Sequence, residues 1–324
     1  MARTGVLLLG FGGPDSIDAV GPFMCNLMGR EPSQELVDRV CLRYLTIGGS
    51  SPIIGIAKEI AAGLESRLVE AGHDVPVRVG MRYWDPYIHD ALAELKSLGC
   101  DRVITISLSP FESKVTSGAY QTAVTAAAED LGGIALVEAP LISEMPEFVT
   151  FLAGATAAAI MDIEPNDGAI VVFTAHSLPE ADLVENDPYV AGLERVAQGV
   201  ASALGMADGV HGSAGAVLPG IETFGSPSAP RAWFLAYQSK GDKPGAWLGP
   251  DLESVIDAAA ASEVSALAVC PIGFMTDHME TLYDLDAVAA ERALLADLEW
   301  ARGRVPNDDP AVLDGLCRVV SDLL

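Results

Sequence analysis

Several things are scarce or missing in this chain of 324 residues, and each absence narrows what it can be. Cysteines number only five, Cys25, Cys41, Cys100, Cys270 and Cys317, widely separated and without a C-x-x-C pair. Neither a zinc knuckle nor a disulfide framework is indicated, and a reducing cytoplasm is the expected compartment. Basic residues are few as well: 19 Lys and Arg against 45 Asp and Glu leave a net charge of -26. Such a field repels phosphodiester backbones and anionic lipid headgroups, so nucleic acid is not an expected partner. It also draws in cations, although most of the acid serves solubility. No apolar stretch approaches the roughly 20 residues of a membrane span, and the run Val6 to Leu9 stops at Gly10, too soon for a signal peptide. No P-loop occurs. The segment Gly10-Phe11-Gly12-Gly13-Pro14 lacks the third glycine of the dinucleotide fingerprint and has Pro14 where a donor N–H is wanted.

What is present is a clear alternation of strands and helices, in a chain hydrophobic enough at 50% to bury a substantial core. Strands are expected at Val6 to Leu9, Val75 to Val79, Val103 to Leu108 and Ile134 to Val137. Helices are expected near Ile17 to Met28, Gln34 to Tyr44, Ile53 to Glu70, Tyr87 to Leu98, Ala123 to Leu131 and Glu147 to Ile160. After the turn residues Glu164-Pro165-Asn166-Asp167-Gly168 the pattern begins again. Strands at Ala169 to Phe173, Trp233 to Tyr237 and Ala266 to Cys270 alternate with helices at Val190 to Leu204 and Leu252 to Ala261, and Gly209 to Pro230 reads as a long surface loop. The class is therefore α/β, with doubly wound parallel sheets and two domains, 1–165 and 166–324. The two halves echo each other in the spacing of their strands, which suggests two similar sheets.

Two polar clusters stand directly after buried strands. Thr174-Ala175-His176-Ser177-Leu178-Pro179 follows one, and Gly273-Phe274-Met275-Thr276-Asp277-His278-Met279-Glu280 follows another. In open parallel sheets ligands bind outside the carboxyl ends of the strands, so a His on one loop and a His plus a carboxylate on the other can converge on one site. A lone imidazole is more often structural, but Pro179 stiffens the exit beside His176, and a neutral imidazole there can take a proton or ligate a metal. If Asp277 caps a helix, Glu280 and Asp284 lie one turn apart on one face, flanked by Tyr283 and Asp286. Their repulsion is relieved by a hydrated divalent metal, and for Asp286 a plain solvated surface role is at least as good a reading. Arg82-Tyr83-Trp84 sets a cation and aromatics at another strand exit, suited to surface packing or to a large flat anionic ligand. The same two readings apply to Tyr237-Gln238-Ser239-Lys240 and Trp247-Leu248-Gly249-Pro250.

Taken together, these segments resemble the ferrochelatases. The blocks Leu9 to Pro14, Ile47 to Ile53, Ala175 to Pro179, Tyr237 to Lys240, Trp247 to Pro250 and Gly273 to Glu280 fall in that family's order over almost the whole chain. The resemblance implies two Rossmann-like, chelatase-type domains with a porphyrin cleft between them, and insertion of ferrous iron into the porphyrin. It implies that His176 accepts pyrrole protons or delivers metal, with Glu280 as acidic partner and Asp284 as a further metal contact. Phe11 stands where some relatives carry a metal-ligating Tyr, so it can only pack on the macrocycle. Arg82, Tyr83 and Tyr237 stand as candidate substrate-binding residues on their own placement, and by the resemblance Ser113, Lys114 and Tyr120 lie near propionates. Metallation must remove two N–H protons from a flat ring whose nitrogens open only when it is distorted, which a rigid cleft with a base on one face supplies. No cofactor is implied: relatives with a [2Fe-2S] centre group cysteines near the C-terminus, whereas here only Cys317 lies there.

Val288 stands where many relatives place a third carboxylate of the acidic stripe, which weakens a peripheral metal relay. The expected partners are a porphyrin and Fe2+, with coproporphyrin III favoured over protoporphyrin IX because the chain is compact and has no apolar anchor. A cytoplasmic monomer or weak homo-oligomer is expected. Two other readings remain at this point, a related chelatase acting on sirohydrochlorin with Co, Ni or Fe, and a tetrapyrrole-binding protein without turnover.

Overall fold

The computed structural model describes residues 3–163, 169–206, 210–211 (backbone), 233–241, 243–262 and 264–324. In chain order these form β1 (Arg3–Gly10), α1 (Val20–Met28), α2 (Gln34–Thr46), α3 (Ile53–Glu70), β2 (Val77–Met81), α4 (Ile88–Ser97), β3 (Cys100–Ser107), α5 (Ser117–Leu131), β4 (Ala135–Glu138) and α6 (Pro146–Asp162). They continue with β5 (Ala169–His176), α7 (Pro188–Ala203), β6 (Val210–His211), β7 (Trp233–Gln238), α8 (Leu252–Ala260), β8 (Ala266–Cys270), α9 (Met279–Leu282), a π-helical turn (Asp284–Ala289), α10 (Ala290–Leu295), β9 (Glu299–Arg302) and α11 (Pro310–Leu323). Helix starts follow from local chemistry. Asp187 and Asp309 each precede a proline at the first helical position and accept the N–H of Tyr189 and of Ala311. Asp251 caps α8 in the same way through Ser254 N–H.

Among the described residues the strands pair in parallel, in two sheets ordered β2-β1-β3-β4 and β6-β7-β5-β8-β9. Central strands of such sheets are covered on both faces and read as unbroken apolar runs. That is why Val6 to Leu9, Ile170 to Phe173 and Ala266 to Val269 are no more than 2% exposed. With the two-residue edge strand β6 set aside, the second sheet runs β7-β5-β8-β9 and repeats the order of the first. In both, the direction of winding reverses at the first strand, so the switch points lie outside the ends of β1 and β3 and of β5 and β8.

The chain folds into two compact units. One comprises 1–148, 275–279 and 306–324; the other comprises 149–274 and 280–305. The boundary expected after 165 falls on 164–168, outside the described residues, as does most of the loop expected over 209–230. The last helix belongs to the first unit because α11 buries Val312, Leu313, Leu316, Val319 and Val320. Its Asp314 meets Arg67 Nε of α3 at 2.6 Å, and its Arg318 grips Glu147 with two hydrogen bonds of 3.0 Å. Two expected elements differ in extent. β2 begins at Val77 rather than Val75, because Pro76 has no N–H and contributes only its carbonyl, taken by Val6 N–H at 2.9 Å. α5 begins at Ser117 rather than Ala123, since Gly118 N–H already bonds the Ser113 carbonyl.

Candidate active site

The second unit's switch point gathers the polar groups. His176 is the last residue of β5, paired in register with Gln238 at the end of β7. Beyond β8 the chain turns back so that Gly273 N–H bonds the Thr174 carbonyl at 3.0 Å. A Cβ at Gly273 would sit 2.6 Å from the Ala175 Cβ, so only glycine lets this loop lie against the residue before His176. The close approach continues into α9, whose Glu280 reaches the imidazole: Nε2 and Oε1 are 3.4 Å apart, and both side chains are about a third exposed, at 32%.

The orientation of the ring follows from its other nitrogen. His176 Nδ1 faces the Ser177 carbonyl, an obligate acceptor, so Nδ1 carries a proton and Nε2 is the nitrogen turned to the carboxylate. Burial is the largest single influence on this imidazole and pulls its pKa down. The Glu280 charge and hydrogen bond, the Ser177 carbonyl and the Asp284 charge outweigh it together, and the pKa is raised to about 9. An imidazolium–carboxylate pair is therefore the resting form near neutral pH.

The surroundings hold this pair through the backbone. The buried Tyr189 hydroxyl donates to the His176 carbonyl at 2.9 Å. Gln238 Nε2 donates to the Glu280 carbonyl at 2.7 Å, and Gln238 O accepts Ser177 N–H at 2.8 Å. The Ser177 hydroxyl bonds the Leu248 carbonyl at 2.8 Å. Asp284 opens the π-helical turn and accepts a hydrogen bond from the hydroxyl of Ser239, whose φ of 61° is left-handed and uncommon for a residue with a side chain. Tyr237 lies buried beside them at 3% exposure, and burial pushes its hydroxyl pKa up.

Not every sequence expectation arrives in this place. Among the described residues no three His, Cys, Asp or Glu side chains form a metal-holding group. His176 and Glu280 meet as a pair, while the Asp284 charge bears on the imidazole as the weakest of its influences. The π-helical turn begins at Asp284, so the spacing of the residues that follow it departs from that of a regular helix. Asp277 does not stand free as a cap: its N–H donates to Asn307 Oδ1 and its carboxylate accepts from Asn307 Nδ2, both at 2.8 Å. Asp286 makes a two-pronged ion pair with Arg302 of β9, at 2.5 and 3.0 Å.

The first unit's switch point has a different character. Phe11, just past β1, packs at 4.7 Å from the Tyr83 ring and 6.3 Å from Phe23, with Arg82 above Tyr83 at 5.5 Å. Arg82 and Tyr83 are held there by N–H bonds to Gly10 O and Phe11 O. Gly12, at φ 94°, makes the tight turn beneath them. Lys114 is exposed, whereas Ser113 is buried and spends its hydroxyl on Val115 N–H. Tyr120 is 2% exposed within the cluster of Leu7, Leu9 and Val124. Sequence reasoning marked the segment Tyr237-Gln238-Ser239-Lys240 without assigning Gln238 a role of its own, and did not mark Tyr189. Gln238 carried the signal that marked His176, a polar residue directly after an apolar strand; Tyr189 sits in the first turn of α7 and carried none.

Comparisons with known proteins identify the family and the fold. The ferrochelatase family profile matches residues 3–324. A ferrochelatase of Herpetosiphon aurantiacus is 33% identical over 99% of both chains. A coproporphyrin III ferrochelatase of Mycolicibacterium smegmatis is 31% identical over 100% of this chain and 91% of its own. Among solved structures, SirB from Bacillus subtilis with Fe3+ superposes with a TM-score of 0.56 over 99% of this chain and 95% of its own, at 13% identity, a likeness of fold. No helix among the described residues is long and apolar enough to cross a membrane.

Proposed function

Because the chain belongs to the ferrochelatase family, we propose that it inserts ferrous iron into a porphyrin in haem biosynthesis, taking coproporphyrin III in preference to protoporphyrin IX. The observation that carries this reading is the facing pair of His176 Nε2 and Glu280 Oε1. Metallation exchanges two pyrrole N–H protons for one Fe2+, so the reaction needs a proton acceptor that a dication can switch on. With its pKa near 9 the imidazole rests protonated beside Glu280. An approaching divalent cation repels that proton and lowers the pKa. Nε2 is then free to take a pyrrole proton, and Glu280 passes protons onward to water. Iron is a substrate in transit here, which suits a pair better than a closed cage of ligands. The coproporphyrin preference draws support from the relatives named for that substrate.

The test is anaerobic incubation with Fe2+ and coproporphyrin III, protoporphyrin IX or sirohydrochlorin, followed by absorbance. Metallation of coproporphyrin III at the highest kcat/KM is expected, with near loss in His176→Ala. Turnover confined to sirohydrochlorin, or binding of every tetrapyrrole without turnover, overturns the proposal.

A further inference from the structure

We propose that Gln238 is a positioning residue that fixes the distance between the His176 imidazole and the Glu280 carboxylate. The inference rests on the proposed function and adds a residue to it. Gln238 touches both members of the pair, one through its backbone and one through its side chain: its main-chain carbonyl takes Ser177 N–H at 2.8 Å, immediately beyond the imidazole, and its side-chain amide Nε2 donates to Glu280 O at 2.7 Å. The strand register sets this up, since His176 and Gln238 are direct partners across β5 and β7. The side chain of this glutamine, anchored at the end of β7, reaches the backbone of α9 at Glu280.

Two further features separate positioning from plain packing. The carbonyl it grips belongs to the same residue as the carboxylate, so a loose Gln238 lets the whole of Glu280 drift, and a gap already at 3.4 Å has no slack before the hydrogen bond is lost. The residue is 3% exposed, and its amide oxygen has no protein hydrogen-bond partner. A buried amide satisfied on one side is a poor stabiliser compared with an apolar side chain of the same length. Its presence at a strand end beside the pair is accounted for by what it holds.

The experiment compares wild type with Gln238→Met, which keeps the length and removes the donor, and with Gln238→Glu, which sets an acceptor against the Glu280 carbonyl. Expected for Gln238→Met are a melting temperature equal to or above wild type, a kcat lower by tenfold to a hundredfold, and a porphyrin KM within twofold, the scale of a misplacement near 1 Å. Gln238→Glu is expected to lose more. Ring 15N resonances of His176, recorded without substrate, are expected to move in both variants, and this readout does not depend on turnover. If wild type metallates no tetrapyrrole but the resonances move, the functional proposal fails while the positioning role stands. Unmoved resonances, or a Gln238→Met with wild-type kcat, overturn the role. A lowered melting temperature with a proportionate loss of active protein and unchanged kcat per folded molecule also overturns it, by showing a purely structural residue.

Discussion

The two sheets share one strand order and differ in what stands at the reversal point. After β1 the chain offers Phe11 among rings, with Arg82 above Tyr83; after β5 it offers His176 facing Glu280. The first set is suited to a flat face and to anionic edges, the second to moving protons. One scaffold used twice thus supplies one largely apolar and one titratable site, and the difference lies in a few residues past the strand ends, as expected where strand ends carry function and strand interiors carry packing.

The comparison breaks hardest at the titratable end. Replacing His176 by Ala is expected to lower kcat by about 10²–10⁴-fold, the usual worth of a positioned base. Phe11→Ala, at the matching place of the first sheet, is expected to raise the porphyrin KM and to change kcat by less than about tenfold; steady-state metallation assays on both variants decide it, and an equal kcat loss would erase the distinction between the two ends. Next in size is Gly273→Ala. Its Cβ cannot fit 2.6 Å from that of Ala175, so the loop must shift, at about 1–3 kcal/mol in urea unfolding and with a kcat loss that exceeds the stability loss.

A third effect is a pH slope. The His176 pKa is raised in the folded protein, from 6.5 to about 9. Its contribution to stability is therefore complete below about pH 6.5 and is lost as pH rises through about 9. Urea midpoints at pH 6, 7.5 and 9.5 should fall in wild type by more than in Glu280→Gln, where the partner charge is gone. The smallest effect belongs to Asp286→Asn. It removes a surface ion pair with Arg302, should cost below about 1 kcal/mol, and should leave metallation unchanged, which separates this carboxylate from Glu280.

Much of this was readable in advance where one physical signal dominated. Strands buried on both faces announce themselves as Val6 to Leu9 or Ala266 to Val269 do, and the polar residue ending such a strand is where a site is sought. The features that escaped depend on neighbours distant in sequence. Nothing local in Glu299-Trp300-Ala301-Arg302 signals a strand, because half of this edge element is charged and its pairing with β8 makes it one. The π-helical turn Asp284–Ala289 buries Leu285 and Ala289 in the second unit's core, a packing arrangement no local pattern in the sequence announced. The grip of Gln238 on Glu280 is a tertiary contact that only the register of β5 and β7 creates.

The placement of α11 also bears on how the molecule is made. Synthesis delivers β1 through β4 well before α11, so the apolar flank of α3 beside Leu313 stays uncovered until α11 has left the ribosome. A chain stopped at Pro306 should therefore expose that flank to chaperones and proteases although its His176–Glu280 pair, encoded upstream, is already made.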